Sequence, residues 1–225
     1  MLRDRVSIES LSEFLRYLAA HQQDETGLPT LTDLSRQLGI SVASLREQLE
    51  VARALGFVEV RPRTGIRRLP YSFLPSVRQS LGYAMSLDEK NFEAFADLRK
   101  NIEAVYWHEA VQQLTDEDCS YLQILIERAW NKLNGAAIQI PHDEHKQLHL
   151  TIYKRLNNPF VSGILEAYWE VYEAIGLNVF TDYQYLQEVW RYHQVMVDSI
   201  CANDYEAGYR ALLDHTDLLY HRPTS

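Results

Sequence analysis

Residues 28–66 read LPTLTDLSRQLGISVASLREQLEVARALGFVEVRPRTGI, and the turn signals in this stretch predict how the chain begins to fold. Thr30 opens a sequence close to a helix capping box, and Gly39 is typical of the residue after a helix end. Ser41 is a second N-cap candidate, and the helical spacing that follows it stops at Gly56. Two short helices joined by GIS are typical of a helix-turn-helix.

The periodicity changes after Gly56. The segments FVEV and IRRL alternate as strands do, and RPRTG between them has the Pro and Gly of a turn. A β-hairpin behind a helix-turn-helix is a wing. Apolar residues at helical spacing from Ile8 to Leu18 predict one more helix ahead of the motif. We therefore expect a winged helix-turn-helix domain over residues 1–70 and a linker over 71–75.

From residue 76 onward the pattern is helical throughout, so the fold class is mainly α. Ser86 with Glu89 and Thr115 with Asp118 resemble capping boxes that start two helices. Further helices are expected at about 142–156, 160–175, 182–202 and 204–221. Residues 76–225 are thus predicted to form an antiparallel bundle of six or seven helices.

The composition is that of a folded protein without a membrane span. Hydrophobic residues make up 46% of the 225 residues, and no apolar run approaches the roughly 20 residues that a membrane helix needs. The N-terminus has acids and no apolar core, so no secretory signal is expected. Two cysteines, Cys119 and Cys201, favour a cytoplasmic protein with reduced thiols over a disulfide scaffold.

The net charge of −9 is distributed unevenly. Residues 1–75 carry ten Arg, no Lys and nine acids, whereas residues 76–225 carry twelve basic and twenty-two acidic residues. The first third can therefore approach phosphate, while the remainder repels it.

The candidate DNA contacts lie on the second helix of the motif and on the wing. Ser41, Ser44 and Arg46 fall at or near the start of that helix, which in such motifs enters the major groove. The wing adds a local cationic patch of Arg61, Arg63, Arg67 and Arg68 around its turn. Thr64 and Gly65 of the turn are candidate contacts with them. A solvated charged hairpin would look the same in isolation. The helix-turn-helix beside it favours the interpretation that the hairpin contacts DNA.

Residues 28–66 resemble the DNA-binding domain of the GntR superfamily of bacterial transcription regulators, most closely in LSRQLGIS and LREQLEVARALGFVEVRPRTG. The resemblance implies a homodimer on a palindromic double-stranded operator. Two positions depart from the family, since Thr32 and Val42 stand where arginines that contact DNA are usual. Arg46 matches a third contact. The departures imply a different operator or a lower affinity.

Histidines in the second half have the spacing of a metal site. His145 and His149 are one helical turn apart, and two imidazoles so placed can bind one metal ion. His193 and His215 each lie in an apolar helical pattern and are expected to point inward. Any one of them alone could be a buried histidine whose ring nitrogens are hydrogen-bonded within the protein. Four together without a shared partner would be costly. His142 is expected at the surface.

Residues from about 76 to 222 resemble the FCD ligand-binding domain of the FadR subfamily. That domain has Asp-x-x-x-His, Asn-Pro, His, an Asn-Asp or Gly-Asp pair, and His. Here HKQLH, Asn158–Pro159, His193, Asn203–Asp204 and His215 follow that order. The resemblance makes His145, His149, His193 and His215 the metal ligands. His145 stands where an aspartate is usual, and four imidazoles favour Zn²⁺, with Ni²⁺ as the alternative. A decayed site in which His145 only hydrogen-bonds is the other interpretation.

Arg99 and Glu103 are the candidate effector-binding residues. Arg99 matches an arginine of the family's effector pocket, which implies a small organic acid as effector. A surface ion pair one helical turn apart is an equally good interpretation. Asp143 and Glu144 are expected in the outer shell or in solvent.

The sequence predicts a transcription regulator, not an enzyme, whose DNA binding responds to an effector held near a histidine-bound metal. One alternative is a zinc or nickel hydrolase with Glu103 or Glu188 as base. Another is a regulator that has lost effector sensing and works through protein partners.

Overall fold

The structure is a computed structural model and describes residues 10–21, 27–62, 65–174 and 183–218. The chain divides into two compact units, Met1–Gln79 and Ser80–Ser225. Ile8, where the first helix was predicted to begin, lies outside the described residues, and the helix that is described begins at Glu13 after its N-cap Ser12. The turn residues Arg63 and Thr64 also lie outside the described residues.

The first unit has three helices followed by a hairpin. Its elements are α1 (Glu13–Ala20), α2 (Leu31–Leu38), α3 (Val42–Ala54), β1 (Val58–Arg61) and β2 (Gly65–Arg68). Both predicted caps are present, since the Thr30 hydroxyl accepts a hydrogen bond from the Asp33 amide and the Ser41 hydroxyl accepts one from the Ser44 amide. These caps satisfy amides that would otherwise lack partners at the two helix starts.

One apolar core joins the helices to the hairpin. Its fully buried side chains include Phe14, Leu34, Leu45 and Ala52, and Val58 of β1 packs with them. The strands pair antiparallel. The winged helix-turn-helix fold predicted from residues 28–66 is confirmed.

Seven helices follow in the described part of the chain, as the sequence predicted. They are α4 (Leu74–Leu87), α5 (Asn91–Val111), α6 (Asp116–Leu133), α7 (His142–Tyr153), α8 (Pro159–Ala174), α9 (Tyr183–Cys201) and α10 (Tyr205–Leu218). Helix α4 begins inside the stretch 71–75 and crosses the division between the units, so the domain boundaries stay a prediction. Among the described residues, no helix is both long and apolar enough to cross a membrane.

The predicted start of α5, a capping box formed by Ser86 and Glu89, was wrong. Ser86 does not cap a helix, because it lies within α4 and its hydroxyl donates to the Tyr83 carbonyl at 2.7 Å. The Asp88 carboxylate instead accepts from the Lys90 amide at 2.9 Å, which stabilises a turn between α4 and α5. Helix α5 then begins without a side-chain cap. The Thr115–Asp118 capping box of α6 is confirmed.

Helix packing brings three histidine-bearing helices into one core. Helix α7 packs against α5, α6 and α8, while α9 packs against α6 and α10. Trp107 of α5 is fully buried, and its indole N–H donates to the Tyr205 carbonyl at the start of α10 at 2.9 Å. Leu148 of α7 and Trp190 of α9 belong to the same cluster. The inward faces of α7, α9 and α10 therefore share one interior.

Gly56 offers a test of the first unit, with Gly39 as its control. Both glycines have left-handed backbones, with φ of 74° and 67°. A Cβ at Gly56 would lie 2.5 Å from Cγ of Pro75, whereas one at Gly39 would have no neighbour within 4 Å. We expect Gly39→Ala to lower the free energy of unfolding by about 1 kcal/mol from backbone strain alone. Gly56→Ala should cost at least about twice that, because a rigid proline ring must also move.

Urea unfolding followed by circular dichroism measures both losses. Equal losses for the two variants would show that the contact with Pro75 does not constrain Gly56.

Candidate metal centre

Four histidines from three helices meet in the interior of the second unit. His145 and His149 come from α7, His193 from α9 and His215 from α10. Each offers one ring nitrogen, and these four atoms all lie within 4.8 Å of one another. His149, His193 and His215 are fully buried, and His145 is half-buried. The set that the sequence predicted as metal ligands is thus brought together in space.

The four rings lie close to one another. The Nε2 atoms of His149 and His193 are 3.1 Å apart, and the ring centroids of His193 and His215 are 4.2 Å apart. The centroid of His145 lies 4.6 Å from that of His193. One-turn spacing on α7 puts His145 and His149 on one face, and the packing of α10 on α9 brings the other two together.

Several ring nitrogens of this cluster have no hydrogen-bond partner among the described residues. They are Nε2 of His145, Nδ1 of His193 and both nitrogens of His215, all of them buried. A buried polar atom left without a partner costs about 1–3 kcal/mol, so a cluster of them calls for a shared ligand. Imidazole nitrogen is a preferred ligand of Zn²⁺ and Ni²⁺, and the donor set fits such an ion.

The electrostatics also suit metal binding. Burial lowers the pKa of each of the four histidines well below its usual value, and the nearby Arg99 guanidinium lowers it further. Glu103 opposes this lowering at His215. The rings are therefore neutral at physiological pH, which is the state that binds a metal ion.

Arg99 and Glu103 of α5 lie directly behind His149. The Arg99 Nε atom is 2.9 Å from Oε1 of Glu103, and the two side chains are 2% and 0% exposed. The alternative of a surface ion pair is therefore wrong. The same Glu103 oxygen is 3.2 Å from Nδ1 of His149, and Nη2 of Arg99 is 2.8 Å from that nitrogen. Burial raises the pKa of Glu103, and the adjacent guanidinium opposes this rise.

Aromatic rings enclose the cluster. The ring of Trp169 lies 4.6 Å from that of His145, and Trp190 lies 4.9 Å from His193. The guanidinium of Arg99 stacks 4.9 Å from the ring centroid of Tyr168. Such cation–π contacts hold a buried guanidinium in place.

Most of these aromatic residues were not found from the sequence. Trp190 of α9 lines the site. Trp169 and Tyr172 of α8 were missed, although their i, i+3 spacing places both on one face. Tyr153 of α7 donates its hydroxyl to the Glu103 carbonyl at 2.9 Å.

One small cavity borders the cluster on the side of His145. Its volume is about 20 Å³, enough for a single water molecule. Its wall is formed by Ile140, Pro141, His142, His145, Tyr172, Tyr185, Leu186, Val189, Trp190 and His215. His142 was expected at the surface, and this was wrong, because it is half-buried and lines the cavity.

The two acids beside His145 have different surroundings. Asp143 is exposed, as expected. Glu144 is buried at 6% exposure, and its Oε2 lies 2.7 Å from Nζ of Lys132. It therefore joins α7 to α6 and is not a solvent residue.

The predicted DNA contacts of the first unit lie mostly on its surface. Arg46 of α3 is exposed, and Ser41 and Ser44 lie at the start of that helix. Gly65 has a φ of 76°, which suits the tight turn before β2. No contact of these residues with DNA is tested by the structure, so their role stays a prediction.

The wing arginines differ in their partners. Glu59 of β1 pairs with Nε of Arg61 at 2.9 Å and lies 4.0 Å from Nη1 of Arg67. Arg68 donates to the Leu18 carbonyl at 2.7 Å and so connects the wing to α1. Glu59 was overlooked in the sequence, although the pairing of the two strands places it opposite Arg67.

A known protein family and one known protein are similar to this chain in sequence. Residues 94–218, more than half of the chain, match the FCD domain family. The HTH-type transcriptional regulator YieP of Escherichia coli K12 is 25% identical over 206 residues, which cover 87% of this chain and 85% of that protein.

Two solved structures are also similar. The Streptococcus agalactiae GntR structure has a TM-score of 0.70 at 17% identity and covers 96% of this chain and 99% of that one. The Escherichia coli McbR/YncC structure has a TM-score of 0.47 at 20% identity, with coverages of 93% and 95%. The resemblance to GntR regulators with an FCD-type C-terminal domain is confirmed, and the chain belongs to the FCD domain family.

Proposed function

We propose that this protein is a DNA-binding transcription regulator whose affinity for its operator is set by a ligand bound at the four-histidine centre. The observation that carries the proposal is the convergence of four imidazoles, three of them fully buried, in the FCD domain of a chain that begins with a winged helix-turn-helix. Neither feature alone implies ligand-controlled DNA binding. Their combination in one chain supports the proposal.

In this proposal α3 enters the major groove and the wing contacts the flanking backbone. Arg46 reads a base edge, while Ser41 and Ser44 meet phosphate at the helix start. The wing contributes Arg61, Arg63, Thr64, Gly65 and Arg67. Helix-turn-helix proteins commonly bind DNA as dimers, with one domain on each half-site, so we propose that this protein binds a palindromic operator as a homodimer. The proposed location is the cytoplasm.

Charge removal on α3 tests the DNA interface. We expect Arg46→Ala to weaken operator binding by about ten- to a hundredfold, because a base-contacting arginine contributes roughly 1–3 kcal/mol. Arg67→Ala should weaken binding to all sequences alike and reduce its salt dependence. Fluorescence anisotropy with an operator fragment at several salt concentrations measures both effects.

Arg191→Ala is the matched control, since this exposed arginine of α9 pairs only with Glu188 among the contacts described for it. The DNA proposal fails if Arg46→Ala binds no more weakly than Arg191→Ala.

The centre is proposed to hold one zinc ion through His145, His149, His193 and His215, with nickel as the alternative. A divalent ion held there by residues of α7, α9 and α10 would supply charge that the neutral rings lack. Ligand binding then shifts the conformation of the regulator and so its fit to the operator.

A small organic acid is the second candidate ligand, and the observation that favours it is the buried guanidinium of Arg99 beside His149. The hydrolase alternative has less support. A water-sized cavity leaves little space for a substrate, and Glu188 is partly exposed and paired with Arg191.

Metal removal tests the centre. We expect about one zinc ion per chain in purified protein, and a chelator should lower the melting temperature because binding stabilises only the folded state. His193→Ala should remove the metal and the chelator effect together. His108→Ala is the control, because His108 is partly exposed and pairs with Glu206 outside the centre. Elemental analysis that finds no metal in wild-type protein refolded with zinc would contradict the proposal.

The metal-free protein should become less stable in mild acid. The folded pKa values of the four histidines are lowered, so the unfolded chain binds more protons below about pH 6.5. The stability from these neutral rings is fully present above that pH and is lost as the pH falls. Each ring contributes a slope of up to about 1.4 kcal/mol per pH unit.

Urea unfolding in chelator at pH 7.5, 6.5 and 5.5 measures this slope. His193→Ala, with three rings, should show a shallower slope than the wild type. A slope that does not change between the two proteins would show that His193 is not buried as a neutral ring.

A further inference from the structure

We infer that Glu59 of the wing limits how tightly the protein holds DNA of any sequence, because its carboxylate offsets the charge of the wing arginines that are free to reach phosphate. The inference rests on the proposed function and names a residue that sets the strength of the same DNA interface. Glu59 acts on the phosphate contacts of Arg61 and Arg67 and takes no part in reading bases.

The strand pairing places three charged side chains on one face of the hairpin. Glu59 of β1 lies opposite Arg67 of β2 in the register, and Arg61 follows Glu59 by two residues. Alternation along a strand therefore puts all three on the same side. Oε2 of Glu59 is 2.9 Å from Nε of Arg61, and Oε1 is 4.0 Å from Nη1 of Arg67. Each carboxylate oxygen thus faces a different arginine.

The third arginine described on the wing is engaged elsewhere. Arg68 lies opposite Val58 in the register, and its Nη1 donates to the Leu18 carbonyl of α1 at 2.7 Å. Its Nε and Nη2 atoms are buried. The side chains of Arg61 and Arg67 are instead 58% and 57% exposed. Glu59 therefore faces both of the exposed arginines within the described part of the wing.

Two effects of Glu59 on DNA binding oppose each other, and their sizes decide the sign. An ion pair can orient an arginine for phosphate, but exposed pairs hold their side chains only weakly. The carboxylate also repels phosphate. A phosphate oxygen bonded to the Arg61 guanidinium would lie about 5–8 Å from the Glu59 carboxylate, within the screening length of about 8–10 Å in physiological salt. Repulsion therefore outweighs orientation.

The recognition helix α3 has no such restraint. Arg46 is exposed, and no ion pair involves it within the residues that the structure describes. In the proposed function Arg46 reads a base edge, whereas Arg61 and Arg67 meet phosphate, which is alike in every sequence. Glu59 therefore lowers the affinity for all DNA by the same factor and leaves the preference for the operator to α3.

Glu59→Gln tests the inference, because it removes the charge and keeps the size of the side chain. The full-length variant should bind an operator fragment and a scrambled duplex more tightly by the same factor, about three- to tenfold near 0.1 M salt. The slope of log affinity against log salt should steepen by about one. Fluorescence anisotropy over a series of salt concentrations measures both changes, and circular dichroism verifies the fold.

Glu109→Gln is the matched control, since it changes the net charge equally at an exposed position on α5 of the second unit. It should bind DNA as the wild type does. An equal gain in both variants would overturn the inference, because overall charge would then be the cause. Weaker binding by Glu59→Gln would also overturn it, because the carboxylate would then serve to orient the arginines.

Removal of the arginines tests whether Glu59 acts at the phosphates that they hold. In a protein that carries Arg61→Ala and Arg67→Ala, adding Glu59→Gln should raise log affinity by less than half as much as it does in the wild type. An undiminished gain would contradict the inference. A wild type that binds both duplexes, with no gain in Glu59→Gln, would refute this inference alone. Failure of the wild type to bind either duplex even at low salt would refute the proposed function and the inference with it.

Discussion

The convergence of four uncharged imidazoles, three of them fully buried, where α7, α9 and α10 meet is the constraint on which the C-terminal unit depends. His149, His193 and His215 have no exposed surface, and several ring nitrogens there lack a hydrogen-bond partner among the described residues. An interior of this kind is stable only with a common ligand or at a considerable cost in free energy. The packing of α10 on α9, and of α7 against α5, α6 and α8, is what holds the four rings within one ion's reach.

Two charged side chains, Arg99 and Glu103, lie beside the histidine rings. Arg99 would raise the cost of a divalent cation nearby if it stood alone, because like charges repel in a medium of low polarity. Glu103 neutralises Arg99 and also contacts His149, so the pair adds little net charge to the centre. Trp169 and Tyr168 cover the guanidinium and exclude water from the pair. His145 thus stands where an aspartate is expected, and the carboxylate of Glu103 lies behind His149.

Much of this arrangement could be predicted from the sequence, and the exceptions have physical reasons. Local signals located α2, α3 and α6, because Thr30, Ser41 and Thr115 cap their own helices. The Ser86 signal was misleading, since a serine within a helix can bond to the preceding turn instead. The four histidines followed from spacing together with a family resemblance. The burial of Arg99 and Glu103 could not be predicted, because an i, i+4 ion pair has the same spacing on a surface as in a core. The filling of the site by Trp169 and Tyr172 depends on how α8 packs, which no local pattern reports.

The central claim is that four histidine nitrogens bind one metal ion, and X-ray absorption at the zinc edge of the purified, zinc-loaded protein tests it most directly. The account predicts about four nitrogen neighbours at roughly 2.0–2.1 Å, with the outer-shell signature of imidazole rings. A shell with sulfur neighbours, or one of six ligands dominated by oxygen, would contradict it.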